Sequence, residues 1–163
     1  MKETDAPDAQ VPSLGWVRDG CFGCGPANPN GLQLKFELGP DGSSYICKFG
    51  IGSSFVGPPG HAHGGIIATI LDEAMSKANR LANKIALTRR MEVEYLRPVP
   101  LGQPLVAEGR ITRTTGRALY NRGEIRNADG VILARSRGTF LMINPEEMFA
   151  EELEKERRNA ANP

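Results

Sequence analysis

The sequence predicts an α+β domain in which a curved antiparallel β-sheet wraps around one long central helix. Three observations predict it. Apolar residues alternate with period two on both sides of the chain's middle, a helical period occurs once between them, and the order reads two strands, one helix, four strands. A lone amphipathic helix must bury its apolar face, and a sheet curled around it does so.

Leu32 to Leu38 alternates as LQLKFEL and Ser44 to Ile51 as SYICKFGI, with Pro40-Asp41-Gly42 as the turn between two strands. The segment SSFVGPPGHAHGG then breaks the pattern. From Gly65 to about Asn83, residues Ile67, Ile70, Leu71, Ala74, Met75, Ala78 and Leu81 recur at three- and four-residue steps, which predicts a helix. Period two returns at Thr88–Leu96, with Met91, Val93 and Tyr95 on one face. Strands follow at Leu105–Thr114, Ala118–Arg126 and Val131–Ile143, separated by a turn at Gly116 and an Asp-Gly hairpin turn at Asn127–Gly130. In the last strand Ile132, Ala134, Ser136, Gly138, Phe140 and Met142 share a face small enough for a helix to press against, while Arg135, Arg137 and Thr139 take the other. Asn144-Pro145-Glu146-Glu147 has the cap, the proline and the acids of a helix start.

The 163 residues suit one domain. We divide them into a polar arm at 1–20, the domain at 21–144, and a short C-terminal helix and tail at 145–163. With 40% hydrophobic and 24% charged residues, and no apolar run near the roughly 20 residues of a membrane span, a soluble protein is expected. The opening MKETDAPDAQVPS lacks an export signal and three cysteines is an odd number, so we expect reduced thiols and a cytoplasmic location. The net charge of +1 hides an asymmetry: Lys77 to Arg137 holds 13 Lys and Arg against 5 Asp and Glu. A basic half suggests an anionic small ligand. Nucleic acid is not expected, because no basic tail, aromatic interleaving or reader motif accompanies the arginines.

Chemistry concentrates in His63-Gly64-Gly65 and the residues to Ala74. Two glycines at a helix start allow close approach to the backbone, and free N–H groups there favour developing negative charge. That is what an oxyanion hole needs, although the glycines could equally relieve a tight turn. Asp72 shares a helical stripe with Gly65, Ala68, Thr69 and Ser76, all small, so its carboxylate can face a groove or another subunit; a plain surface acid is the competing reading. Glu73 stands four residues before Lys77, the order of a solvated ion pair. Gly64 and Asp72 are eight residues apart, about 12 Å along a helix, too far for both to act on one carbonyl. If both act, two antiparallel helices of a two-fold homodimer must supply them.

The HGG-x6-D pattern on a helix after the second strand resembles the hotdog-fold acyl-CoA thioesterases of the phenylacetate-degradation (PaaI-like) superfamily. Cys21-Phe22-Gly23-Cys24-Gly25, Gly57-Pro58-Pro59-Gly60, Thr88 to Tyr95 and Arg97-Pro98-Val99-Pro100 extend the likeness. The resemblance implies hydrolysis of an acyl-CoA without a cofactor. It implies Asp72 as base or nucleophile, the Gly65 N–H on the thioester carbonyl, His63 ordering the turn, and Thr88, sixteen residues after Asp72, positioning water. No Glu replaces Asp72, and the D-x4-H pattern of hotdog hydratases is absent. A non-catalytic acyl-CoA-binding module and a hotdog dehydratase remain the rivals, and whether dimers pair into tetramers stays open.

The remaining candidates are weaker. Cys21 and Cys24 form a C-x2-C, but the sequence offers only Cys47, His61 and His63 as further ligands, so we expect a turn of buried thiols and no metal. Arg113 and Arg117, flanking the Gly116 turn, are the arginines we favour for binding the CoA phosphates.

Overall fold

The computed structural model describes residues 20–161, so most of the expected arm lies outside the described residues. Six strands form one antiparallel sheet in the order β1-β2-β4-β5-β6-β3. They are β1 Glu37–Leu38, β2 Tyr45–Phe49, β3 Ala86–Tyr95, β4 Leu105–Thr115, β5 Ala118–Asn127 and β6 Ile132–Met142. Helix α1, Gly64–Ala78, lies on the inner face of that sheet. Its buried residues are Ile67, Ile70, Leu71, Ala74, Met75 and Ala78, six of the seven that the three- and four-residue spacing picked out. Burying side chains as fully as Ile70, Leu71 and Met75, each 0% exposed, contributes roughly 1.5–3 kcal/mol apiece. After Ala78 the coil tightens into a 3-10 turn at Asn79–Ala82 and ends at Asn83 in the left-handed conformation, φ 51°. Asn121, buried on β5, ties this end down: its Nδ2 donates to the Met75 carbonyl at 2.7 Å and to Asn79 Oδ1 at 2.6 Å.

The helix presses on the sheet at glycines of three adjacent strands. A Cβ on Gly109 of β4 would lie 1.9 Å from the Ala74 carbonyl oxygen, where only a missing side chain fits. On Gly123 of β5 it would meet Ser136 Oγ at 2.9 Å and Met75 Cγ at 3.1 Å, and on Gly138 of β6 Phe140 Cε2 at 2.8 Å and Met75 Cε at 3.1 Å. The small face expected of β6 is therefore one bank of a trench that crosses three strands. Ala134, Ser136, Gly138 and Phe140 are buried in it while Arg135 and Arg137 are exposed.

The expected first strand shrinks to two residues. Gln33 takes a left-handed conformation, φ 50°, which interrupts the pleat. The N–H groups of Leu32 and Leu34 donate instead to the carbonyls of Phe22 and Gly23, at 2.8 and 2.9 Å. The alternation of LQLKFEL thus records Leu34 turning into the core, not a ladder with β2. At the other end the expected cap is present: Asn144 Oδ1 accepts from the Glu146 N–H at 3.2 Å, opening α2 (Pro145–Met148), and α3 (Ala150–Ala161) follows. Among the described residues no helix is long and apolar enough to cross a membrane.

Among the described residues the sheet ends on β3, whose outer edge pairs with no other strand along its ten residues. Leu87, Tyr95 and the adjoining Leu96 are 43%, 55% and 42% exposed there. A long, partly apolar edge strand is a template for pairing with another chain.

Candidate active site

The N-terminus of α1 is held by the loop before it. Gly57 N–H donates to the His61 carbonyl at 2.9 Å, Ala62 N–H to Val99 at 2.9 Å and His63 N–H to Phe55 at 3.0 Å. Gly57 admits this crossing, since a Cβ there would lie 2.7 Å from His63 Cα. Fastened in this way, His63 becomes the N-cap: its Nδ1 accepts from the Gly65 N–H at 3.0 Å, satisfying one orphan donor of the first turn. The Gly65 N–H is thereby occupied. The Gly64 N–H has no partner among the described residues. Tyr95 Oη, from the end of β3, donates to the Gly64 carbonyl at 3.1 Å.

Two turns further on, Asp72 lies half-buried and Thr88 Oγ1 of β3 donates to its Oδ1 at 2.7 Å. The hydroxyl expected to hold water holds the carboxylate itself. Burial pushes the Asp72 pKa above the ordinary aspartate value, the Thr88 hydrogen bond draws it down, and the charge of Glu73 adds to the rise. Asp72 and Gly64 remain on one helix about 12 Å apart, each fastened to β3, by Thr88 and Tyr95 respectively. The structure therefore brings together Asp72 with Thr88 and His63 with Gly65, and keeps the two groups apart within one chain. Tyr95 was read from the sequence only as a strand residue; nothing local distinguishes its role at Gly64.

Glu73 is not the solvated acid expected. Its side chain and that of Lys77 are only 17% and 15% exposed, at 3.9 Å from one another. The Cys21–Gly25 turn covers them: Cys21 Sγ lies 3.5 Å from Glu73 Oε1, and Lys77 Nζ 3.0 Å from Cys24 Sγ. Burial, reinforced by the Glu73 charge, pushes the Cys24 thiol up to about 12, against the pull of Lys77. Helical periodicity cannot see a loop folding back from fifty residues away.

The basic half of the sequence maps largely onto the outer sheet face, where most arginines are paired. Arg110 and Arg126 flank Glu108 at 2.6 and 3.0 Å, Arg122 and Arg126 both reach Glu124, and Arg135 reaches Glu94 at 2.7 Å. Arg113 instead stacks on Tyr120, 4.0 Å from the ring centroid. It lines a groove of about 580 Å³ together with Arg90, Arg122, Arg137 and Thr139. Arg117 lies elsewhere, in a recess beside Lys84, Asn144 and Glu147. The two arginines that flank Gly116 in sequence thus do not share a site.

A single antiparallel sheet curled over one helix, with the helix start and a helical carboxylate both facing its edge strand, defines the hotdog class. Residues 59–134 match the model of the thioesterase superfamily. Human acyl-coenzyme A thioesterase THEM5 is 28% identical over 125 residues, covering 76% of this chain and 51% of that protein. The chain thus spans about half the length of this curated relative. The crystal structure of RHA08564, a thioesterase superfamily protein, superposes with a TM-score of 0.71 at 32% identity, covering 76% of this chain and 60% of that one. The Escherichia coli PaaI protein of the phenylacetic acid degradation operon has the same fold, with a TM-score of 0.64 at 19% identity over 72% of this chain and 86% of PaaI.

Proposed function

We propose that this domain hydrolyses the thioester of an acyl-CoA to a free acid and CoA, at sites built between two copies of the chain. The observation that carries the reading is the half-buried Asp72 carboxylate held by Thr88 at 2.7 Å. A water molecule, deprotonated by Asp72, adds to the thioester carbonyl; direct attack by the carboxylate is the variant. The Gly64 N–H, left open by a cap that engages Gly65, donates to the oxyanion, aided by the helix dipole. The C–S bond then breaks and CoA leaves as a thiolate that takes up a proton. His63 acts by holding the turn.

Two copies paired through their β3 edges, antiparallel, would set the Asp72 of one opposite the Gly64 of the other. The exposed Leu87 and Tyr95 support that edge as the contact, and whether such dimers pair further is left to sedimentation. The Arg113 groove is the basic surface we assign to the CoA phosphates, with Arg117 outside it. The name of human THEM5 supports the substrate class.

The test is a panel of aliphatic and aromatic acyl-CoAs with a thiol-reactive dye. Thiol release is expected, and Asp72→Asn should lower kcat by about 100-fold or more while keeping CoA binding. Saturable binding without release would identify a binding module. An Asp72→Asn enzyme with full kcat would sink the assignment.

A further inference from the structure

One cluster of chemistry-bearing side chains has no part in the proposed hydrolysis. Cys21 and Cys24 sit in a C-x2-C-G turn closed by the Gly25 N–H on the Cys21 carbonyl at 2.9 Å. Their two Sγ atoms and a carboxylate oxygen of Glu73 all lie within 4.8 Å of one another. We propose that Cys21, Cys24 and Glu73 bind one thiophilic divalent cation of the zinc type, with water in the fourth position and Lys77 as a neighbouring charge.

The distances suit a tetrahedral ion. Zn–S of about 2.3 Å and Zn–O of about 2.0 Å give a tetrahedral S···O edge of about 3.5 Å, and Cys21 Sγ to Glu73 Oε1 measures 3.5 Å. Two sulfur donors select a soft or borderline ion over magnesium or calcium. Charge also closes. Two thiolates, one carboxylate and a divalent ion leave one negative charge, and Lys77 Nζ, 3.0 Å from Cys24 Sγ, supplies one positive.

The turn is shaped around the carboxylate. A Cβ on Gly23, between the cysteines, would lie 2.3 Å from Glu73 Cγ, so only glycine lets the loop close on that side chain. The loop is also anchored from behind, where Leu32 and Leu34 donate to Phe22 and Gly23. The donors thus converge from a fixed turn and from α1, and all three are partly sheltered from solvent. Counting candidate ligands in the sequence missed Glu73 because it belongs to the helix. The ion would staple the N-terminal turn to the helical turn that carries Asp72, a structural role one residue away from the proposed chemistry.

The full chain, reduced and stripped with a chelator, is titrated with cobalt(II). One equivalent per chain should develop a near-ultraviolet sulfur-to-cobalt charge-transfer band and the visible bands of a tetrahedral ion, and zinc should bleach both. Cys21→Ser and Cys24→Ser should each weaken binding by about 100-fold or more. Glu73→Gln and Lys77→Met should keep the charge-transfer band but weaken binding by about 10-fold or more. Asp72→Asn should bind cobalt like the wild type, which separates this site from the proposed active site. A wild-type chain that gives no charge-transfer band overturns the proposal, and this result needs no variant to fold. Unweakened binding in the Cys21→Ser and Cys24→Ser variants overturns it too. Thiol release from acyl-CoA is read independently, so either proposal can fail alone.

Discussion

Mixing two inactive variants should restore activity. The first parent is Asp72→Asn and the second Gly64→Val. A Cβ at Gly64 would meet nothing nearer than Tyr95 at 3.7 Å, ordinary contact, so the fold should accept a side chain there while the open N–H becomes obstructed. Asp72 and Gly64 are eight residues apart on α1, about 12 Å, against the roughly 3 Å or one-water reach that catalysis on a single carbonyl demands. In a mixed dimer one site therefore receives both substitutions and the other neither. Random pairing of equal amounts makes half the dimers mixed, each with one intact site of two, so about a quarter of wild-type turnover is expected from the two-fold geometry. The assay follows thiol release after subunit exchange, with native mass spectrometry verifying that heterodimers have formed. Heterodimers that form and stay inactive would refute the shared site.

Other outcomes follow from single contacts. Because burial raises the Asp72 pKa in the folded chain, its stabilising contribution is complete below the ordinary aspartate pKa of about 4 and is lost as pH rises through the folded value. Asp72→Asn should thus melt higher than wild type at pH 7 to 8, with the gap closing toward pH 4; a lower melting temperature at pH 8 contradicts this. Thr88→Val removes the hydrogen bond that draws the Asp72 pKa down, so the acid limb of the kcat/KM profile should move to higher pH. An unmoved limb, or one moved down, would count against Asp72 as the ionising group. Gly109→Ala sets a Cβ 1.9 Å from a helix carbonyl and should cost about 3 kcal/mol or more in urea denaturation. Gly123→Ala, whose nearest neighbours are side chains of Ser136 and Met75, should cost less, and the reverse ranking would show the trench misread.

The sequence made the scaffold legible where packing is periodic. The spacing of Ile67, Ile70, Leu71, Ala74 and Met75 named the buried face of α1, and the alternation through β6 separated Ser136 and Gly138 from Arg135 and Arg137. It misled where the chain departs locally from a period, as at Gln33, whose left-handed backbone ends a strand pattern without changing the order of side chains. Contacts made across the fold were not legible from spacing, and the family likeness alone drew Thr88 into the site of Asp72. Glu73 and Lys77 fit a solvated pair until the Cys21–Gly25 turn covers them, and Arg113 and Arg117 look like one site until the sheet separates them. At the glycine pair the spacing offered both N–H groups and the family likeness implied Gly65, but the side chain of His63 engages that N–H and leaves the neighbouring one open. A cap bond of this kind is a choice of rotamer and turn geometry, which no spacing rule encodes.

The trench of Gly109, Gly123 and Gly138 acts as a depth gauge. Three residues with no side chain determine how far α1 sinks toward the sheet, and so where the Asp72 carboxylate arrives relative to the Thr88 hydroxyl on a different strand. A catalytic group displaced by about 1 Å can lose on the order of 100-fold in rate. Tolerance in this domain is therefore set by absence. Variation that leaves every polar group of the site in place can still disable it, by adding one methyl group on the helix-facing side of a strand.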